Sequence, residues 1–438
     1  MAEGRGARVA GGPPPSATHA AVAWCGCGAL LLAVGAFNFV QPLPDIEVVA
    51  LVVMAATALG VFLPDLLWQR VYRRALIAPS GPGDWPRTLT KAAGLAGSVG
   101  FVALLYWLLP EYYRPEPFYQ HYWTALKWVL PAWAAVALPY LWWVDRRLAE
   151  PRDALWETGR ILTLQWRGAR PAIVGQHLLG WLVKGYFLPL MFTYFCTDLG
   201  KVLHYDAGRA TAGFAGAYDF LYTALYFVDV ALVSMTYVMS LKLTDTHIRS
   251  SEPSFFGWAI ALVCYQPFWS LISDQYIQYE RVPWGHWFAP YPALYAAWGT
   301  LILLLVAAYV WATVSFGGRF SNLTHRGIIT NGPYRYTKHP AYIAKNLSWW
   351  MLSLPFMVTD GWSGALRRSL ALLLLNAIYY LRAKTEERHL ALDPVYRAYA
   401  DWIDTHGVFR WLNRVPLLGA IARWRPRFAQ RPLAWIWP

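Results

Sequence analysis

Long apolar runs separated by short polar connections extend along almost the whole chain of 438 residues. A helix needs about 20 mostly apolar residues to cross a bilayer, and ten runs approach or exceed that length. They lie at residues 20–40, 46–67, 92–109, 123–144, 172–196, 213–240, 255–273, 290–317, 341–358 and 364–381. The pattern predicts an all-α, polytopic integral membrane protein with about ten transmembrane helices.

The composition agrees with this fold class. Charged residues make up 14% of the chain, whereas soluble domains carry about 25%. The 26 Trp and 27 Tyr suit a protein with many segment ends at the lipid–water boundary. The net charge of +13 is not gathered in a nucleic-acid-binding motif, so contact with anionic membrane lipid explains it better and no nucleic-acid partner is predicted. The four Cys lack the spacing of a zinc site or a disulfide framework, and no metal is predicted.

Loop charges predict the orientation of the chain. Stretches 70–91 and 145–171 are rich in Arg, whereas the alternate loops 42–45, 110–118 and 197–212 carry little net positive charge. Because positive loops face the cytoplasm, both termini are predicted to be cytoplasmic, in a bacterial inner membrane or an ER-type membrane. The loop 325–338 and the segment 382–410 then share the cytoplasmic side.

These two stretches are polar and aromatic although each adjoins an apolar run. In the first, Asn331-Gly332-Pro333 and His339-Pro340 interrupt regular structure, and Pro340 suits the first turn of a helix. In the second, Arg382 and Glu386 are four residues apart and therefore share one helix face. A loop bearing His and Tyr beside a helix bearing Arg and Glu is a plausible binding site for a charged small molecule.

Four motifs in order resemble the isoprenylcysteine carboxyl methyltransferase family and, more loosely, the membrane phospholipid N-methyltransferases. They are Gly332-Pro333-Tyr334, Lys338-His339-Pro340-Ala341-Tyr342, Arg382-Ala383-Lys384-Thr385-Glu386-Glu387 and Tyr396-Arg397-Ala398-Tyr399. Lys338 stands where Arg is usual, which keeps the charge and loses the planar guanidinium. The resemblance covers residues 295–415 and predicts a C-terminal catalytic module.

The resemblance implies methyl transfer from S-adenosylmethionine to a lipidic or prenylated acceptor. In the family, the matching positions bind the donor, and the Arg matching Arg382 contacts the acceptor. The implied donor-binding residues are Gly327, Ile328, Ile329, Tyr334, His339, Pro340, Ala341, Tyr342 and Glu386.

The acceptor stays open at this stage. A carboxylate is already a nucleophile at neutral pH and needs Arg382 only for positioning, whereas an amine or hydroxyl requires a base such as Glu387 or His339. We therefore assign catalytic roles to Arg382 and Glu387. Two alternatives remain, an NADPH-dependent membrane reductase resembling sterol reductases and a non-enzymatic lipid transporter or lipid-binding protein.

The remaining expectations concern domain organisation. Residues 1–18 are predicted to be disordered, 19–285 to form an N-terminal domain of about seven helices, 286–415 the catalytic module and 416–438 a basic aromatic interfacial tail. Lys184 and Asp229 lie near the middle of two predicted spans, where an unpaired charge is costly. They are expected either to pair with each other or to line a polar cavity.

Overall fold

The structure is a computed structural model, and it describes residues 12–40, 42–74, 76, 83–109, 117–278, 282–357, 361–415, 419, 421 and 424. Within these residues the chain is almost entirely helical, with one two-stranded antiparallel ladder. It divides into two compact units, which we call the N-terminal unit (Ala21–Pro253 and Phe316–Arg326) and the C-terminal unit (Met1–Ala20, Ser254–Ser315 and Gly327–Pro438).

The N-terminal unit contains six of the long apolar helices. Its helices are α1 (Ala20–Phe37), α2 (Ile46–Leu67), α3 (Trp85–Leu108), α4 (Gln120–Asp145), α5 (Ala154–Leu162), α6 (Pro171–Leu203), α7 (Ala207–Thr211) and α8 (Phe214–Val238). Strand β1 (Ser250–Ser251) pairs with β2 (Thr324–His325) in the register Ser250↔His325 and Ser251↔Thr324. Short 3-10 turns lie at Val71–Arg74, Pro117–Tyr119 and Gly317–Arg319.

The C-terminal unit is built mainly from three long elements and several short ones. Its helices are α9 (Phe255–Leu262), α10 (Trp284–Phe288), α11 (Pro292–Val314), α12 (Pro340–Ser353), α13 (Gly361–Leu390) and α14 (Pro394–His406). A π-helical turn lies at Ser270–Ile277, and 3-10 turns lie at Gly332–Arg335 and Arg410–Arg414. Leu372, Leu375 and Tyr379 of α13 form a buried core against Trp349 and Trp350 of α12.

Side-chain caps set several helix starts in the N-terminal unit. The Asp84 carboxylate accepts from the Arg87 N–H at the start of α3, and Asp153 accepts from the Trp156 N–H at the start of α5. Helices α3 and α5 approach closely at Gly159, where a Cβ would lie 1.8 Å from the carbonyl oxygen of Thr90. Glycine is therefore required at this crossing.

Seven of the ten predicted spans are helices long and apolar enough to cross a membrane: α1, α2, α3, α4, α6, α8 and α11. The other three differ from expectation. The run 255–273 contains only the eight-residue α9 and part of the π-helical turn, and the run 341–358 forms the 14-residue α12. The run 364–381 lies inside the 30-residue α13, which carries Arg367 and Arg368 within the run and further charged residues from Arg382 onward, beyond its end.

The two compact units are not divided where the predicted domains are. The C-terminal unit includes Ser254–Ser315, so it begins before residue 286, and it also includes the described residues 12–20. The predicted disorder of residues 1–11 lies outside the described residues, whereas Thr18 is 1% exposed and residues 14–18 make specific hydrogen bonds. The predicted interfacial tail lies almost wholly outside the described residues.

Lys184 is not paired with Asp229. Within the described part of the chain its ammonium group lies 5.0 Å from the centroid of the Trp181 ring, and no carboxylate is within ion-pairing distance of it. Asp229 is 6% exposed. Of the two expectations for these residues, the direct pair is therefore wrong.

Candidate active site

Two helix ends in the C-terminal unit carry the candidate site. Helix α12 begins at Pro340, whose missing N–H costs nothing in the first turn, and His339 precedes it without capping the helix through its side chain. The last turns of α13 carry Arg382, Glu386 and Glu387. Side chains from both ends meet in two linked hydrogen-bond networks.

The first network joins Tyr342, Arg382 and Glu386. The hydroxyl of Tyr342 donates to Oε1 of Glu386, and Nε of Arg382 donates to the same oxygen at 3.2 Å. Arg382 is 4% exposed, so its charge is held in a dry environment, while the Glu386 side chain is 29% exposed. The carboxylate of Glu386 therefore neutralises a buried cation and still reaches the surface of the site.

Three tyrosine rings surround the Arg382 guanidinium. Its Cζ lies 5.3 Å from the ring centroids of Tyr265 and Tyr342 and 5.9 Å from that of Tyr379. Nη2 of Arg382 also donates to the Tyr265 hydroxyl at 3.3 Å. Aromatic faces attract cations, most strongly where water is excluded. This cage fixes the direction of the guanidinium and leaves a strongly polar, rigid centre.

The second network joins His339, Lys384 and Glu387. Nε2 of His339 lies 3.0 Å from Oε1 of Glu387, and Nζ of Lys384 donates to Oε2 of Glu387 at 3.0 Å. Burial opposes ionisation of Glu387, but the hydrogen bond from His339 and the charges of His339 and Lys384 outweigh it and lower its pKa to about 2. Glu387 is therefore a carboxylate throughout the neutral range.

The His339 and Tyr342 rings connect the two networks. They stack with centroids 5.6 Å apart and an angle of 6° between their planes. Because Glu387 holds His339 and Glu386 holds Tyr342, both rings are fixed by carboxylates on consecutive residues of α13.

The loop before α12 is held by the motif after α13. The hydroxyl of Tyr399 donates to the carbonyl oxygens of Tyr334 at 2.8 Å and Thr337 at 3.3 Å. Gly332 has φ +54° and a Cβ there would lie 2.3 Å from Oγ of Ser315, so only glycine fits. Lys338 forms an ion pair with Asp404 at 2.7 Å, a role that a single ammonium group fills without a guanidinium.

The N-terminal segment lies on the other predicted binding stretch. The Ala17 N–H donates to the Ile328 carbonyl at 2.8 Å, and the Thr330 N–H donates to Oγ of Ser16 at 3.2 Å. The Thr330 hydroxyl donates to the carbonyl of Pro14 at 2.7 Å. We call residues 14–18 the N-terminal strap. It occupies the Ile328 carbonyl, one of the backbone groups assigned to S-adenosylmethionine binding, and it stabilises the loop that also contains Gly327 and Ile329.

Several polar groups of this region have no partner among the described residues. Oε2 of Glu386 accepts no hydrogen bond there, and neither the N–H nor the carbonyl of Ile329 is bonded. Oδ1 of Asn331 is buried without a donor. The first-turn amides of α12 lack a capping side chain. Acceptors and donors of this kind fit the amino, carboxylate and hydroxyl groups of S-adenosylmethionine.

Comparison with protein families gives a match over part of the chain. Residues 297–392 match the family model of the isoprenylcysteine carboxyl methyltransferase (ICMT) family. The chain is ICMT-like over this segment. No curated protein and no solved structure matches it. The matched segment contains α11, α12 and nearly all of α13, so it includes both networks. Together with seven apolar helices of membrane-spanning length, the match supports a membrane methyltransferase.

The structure brings together five of the residues singled out from the sequence: His339, Tyr342, Arg382, Glu386 and Glu387. Gly327, Ile328 and Ile329 lie on the loop that contacts the N-terminal strap, Gly327 with φ +117°. Tyr334 is buried and contributes its carbonyl to the bond from Tyr399. Pro340 and Ala341 form the first turn of α12.

Sequence reasoning missed Tyr265, Tyr379 and Lys384. Tyr379 and Lys384 had a signal, because each lies three residues before a candidate on the same helix face, Arg382 and Glu387 respectively. Tyr265 lies 117 positions from Arg382, and no sequence pattern linked the two residues.

Proposed function

We propose that this protein transfers a methyl group from S-adenosylmethionine to a carboxylate of a lipidic or prenylated acceptor in the membrane, at a site facing the cytoplasm. The main support is the Tyr342–Arg382–Glu386 network, which lies inside the ICMT-like segment and combines a dry cation with a partly exposed carboxylate.

The donor side would use groups that the fold leaves available. When bound, S-adenosylmethionine supplies an electrophilic methyl group on a cationic sulfur. Glu386 offers Oε2 to a cationic or hydroxyl group, and the partly exposed His339 ring offers a surface for an aromatic ring or a cation. Ile329 and the first turn of α12 offer backbone hydrogen bonds.

The acceptor side would use Arg382 to orient an anionic group. A carboxylate acceptor needs no base, because it is the nucleophile. This suits Glu387, whose pKa of about 2 makes it a weak base at neutral pH. We therefore assign Glu387 the role of holding His339 rather than that of abstracting a proton. Fixing both reactants in a dry site supplies about 7–11 kcal/mol of the barrier in well-oriented reactions.

The cytoplasmic location rests on two arguments. The Arg-rich stretches 70–91 and 145–171 favour the cytoplasm for the side that also carries the N-terminus. The N-terminal strap hydrogen-bonds to residues 328–330, so the loop of the candidate site lies on the side of the N-terminus. A cytosolic donor would then reach the site without crossing the membrane.

Calorimetric binding to the detergent-purified protein tests the donor, with NADPH titrated in parallel. We expect saturable binding of S-adenosylmethionine and none of NADPH. Transfer of a labelled methyl group is then measured with an S-prenylcysteine and with phosphatidylethanolamine as acceptors. Binding of NADPH instead of S-adenosylmethionine would refute the proposal, and methylation of the amine alone would refute the carboxylate acceptor.

A further inference from the structure

The residues that flank the stretch Ser254–Ser315 on its two sides contact each other within the N-terminal unit. Just before it, the Glu252 N–H donates to the carbonyl of Leu323 at 2.7 Å, and β1 pairs with β2. Within the stretch, α11 is a candidate membrane span of 23 residues. A single crossing would bring the chain to the opposite face. An even number of crossings between Glu252 and Leu323 therefore requires a second crossing, in the other direction, before α11.

A count of the candidate membrane spans between two other contacting residues also requires an additional crossing. The strap residue Ala17 hydrogen-bonds to Ile328, so positions 17 and 328 lie on one face. Seven candidate spans separate them, and an odd number would place them on opposite faces. One additional crossing makes the count even, and the β1–β2 pairing places it between residues 252 and 323.

No continuous helix makes this crossing in the described residues 254–278 and 282–291, where the longest helix has eight residues. The chain instead runs through α9, the π-helical turn Ser270–Ile277 and α10. Between them, the N–H and hydroxyl of Ser270 donate to Oε1 of Gln266 at 3.4 and 2.6 Å. Side-chain bonds of this kind satisfy polar groups where a membrane helix is interrupted. Phe255, Phe268 and Leu271 point outward, 69%, 40% and 53% exposed.

The interruption lies against the candidate site within the C-terminal unit. Tyr265, three residues after the end of α9, places its ring 5.3 Å from Cζ of Arg382 and accepts the hydrogen bond from Nη2. Non-helical backbone at membrane depth occurs where it is covered by protein or lines a polar cavity, and broken helices commonly form binding sites there.

We propose that residues 254–291 cross the membrane as a broken segment and that Tyr265, at the break, forms with Arg382 the binding site for the acidic head of the acceptor. The chemistry of the ligand is that of an amphiphile with one carboxylate, whose apolar chain lies along the outward Phe255, Phe268 and Leu271. A tyrosine hydroxyl both donates and accepts, so Tyr265 can donate to the carboxylate while it accepts from Arg382. The identity of the acceptor rests on the proposed function, whereas the crossing does not.

Single-cysteine labelling of the full chain tests the crossing. In a background with the four native Cys replaced by Ala, the variants Phe39→Cys, Leu164→Cys, Tyr291→Cys and Tyr336→Cys are treated with a membrane-impermeant maleimide in oriented vesicles. All four positions are exposed. We expect Phe39 and Tyr291 to react from one face and Leu164 and Tyr336 from the other. Reaction of Tyr291 from the face of Leu164 would overturn the broken crossing.

Binding measurements test the role of Tyr265. The probes are N-acetyl-S-farnesylcysteine, its methyl ester and S-adenosylmethionine, titrated into wild type, Tyr265→Phe and the exposed control Tyr291→Phe. We expect Tyr265→Phe to weaken the acid about 10–150-fold, as for one lost hydrogen bond to a charged group, and to leave the ester and the donor unchanged. Tyr291→Phe should change none of them.

The outcomes separate the two proposals. Unchanged binding of the acid to Tyr265→Phe, or equal losses for all three probes, would overturn the acceptor role of Tyr265. If wild type binds S-adenosylmethionine but not N-acetyl-S-farnesylcysteine, the proposal that the acceptor has an acidic head is refuted, and the proposed donor site is not affected. Failure of wild type to bind the donor would count against the proposed function, while the labelling result would still decide the crossing.

Discussion

Replacing Glu386 by Gln removes a charge from the site with little change of shape. In the wild type, Oε1 of Glu386 accepts from the Tyr342 hydroxyl and from Nε of Arg382 at 3.2 Å. Hydrogen bonds to charged groups contribute about 1.5–3 kcal/mol each. In Glu386→Gln, the cationic methyl donor S-adenosylmethionine would lose one such bond. We therefore expect the dissociation constant of S-adenosylmethionine to rise about 10–150-fold, measured by calorimetry at low ionic strength.

A control distinguishes this effect from general loss of structure. Asp401→Asn removes an exposed carboxylate from α14 of the same unit and should leave donor binding unchanged. Both variants should elute as the wild type does in size-exclusion chromatography, because the side chain of Glu386 is 29% exposed and Gln can still accept from Tyr342. Wild-type affinity in Glu386→Gln would refute the assignment of Glu386 to the donor.

Three further predictions test the surroundings of the site. Because the folded-state pKa of Glu387 is lowered from its ordinary value of 4.5 to about 2, its stabilising effect is complete above pH 4.5 and is lost toward pH 2. Measured by tryptophan fluorescence, Glu387→Gln should therefore unfold at a lower urea concentration than wild type at pH 6 and at nearly the same concentration at pH 2. An equal difference between the two urea midpoints at both pH values would contradict this. Ser16→Ala removes the acceptor for the Thr330 N–H, so it should raise the KM for S-adenosylmethionine several-fold with kcat retained. Ser16→Thr should restore the wild-type KM, and Thr211→Val, at an exposed position, should not change it. Tyr399→Phe releases the carbonyls of Tyr334 and Thr337 and should make the loop before α12 cleave faster in limited proteolysis, unlike Tyr336→Phe at an exposed ring.

The sequence predicted the parts of the site that short spacings define. Arg382 and Glu386 are four residues apart, and a helix is enough to bring them together. His339 and Pro340 predicted the start of α12 from backbone preferences alone, and that start is confirmed. The motif order also predicted that Tyr342 lies near Glu386, although only the resemblance to the ICMT family linked residues 44 positions apart.

Contacts across long separations were beyond such reasoning. A Gly/Pro/Ala-rich terminus has the composition of a disordered segment, yet Ser16 and Ala17 hydrogen-bond to the loop at Ile328 and Thr330. The bonds involve mainly backbone atoms and one small hydroxyl, which leave no pattern in the sequence. The sequence also does not distinguish Tyr265 from the other tyrosines among the 27, because its contact with Arg382 forms only in the folded protein.

The difference between ten predicted spans and seven membrane-length helices follows from the chemistry of the site. A helix of 14 residues rises only about 21 Å, short of the ~30 Å hydrocarbon core, and α12 ends at Leu354 in a left-handed conformation. Helix α13 is long enough but ends in Arg382, Lys384, Glu386 and Glu387, the groups that hold Tyr342 and His339. The break after α9 places Tyr265 beside Arg382. The segments that deviate most from simple apolar spans are therefore the ones that carry the polar side chains of the candidate site.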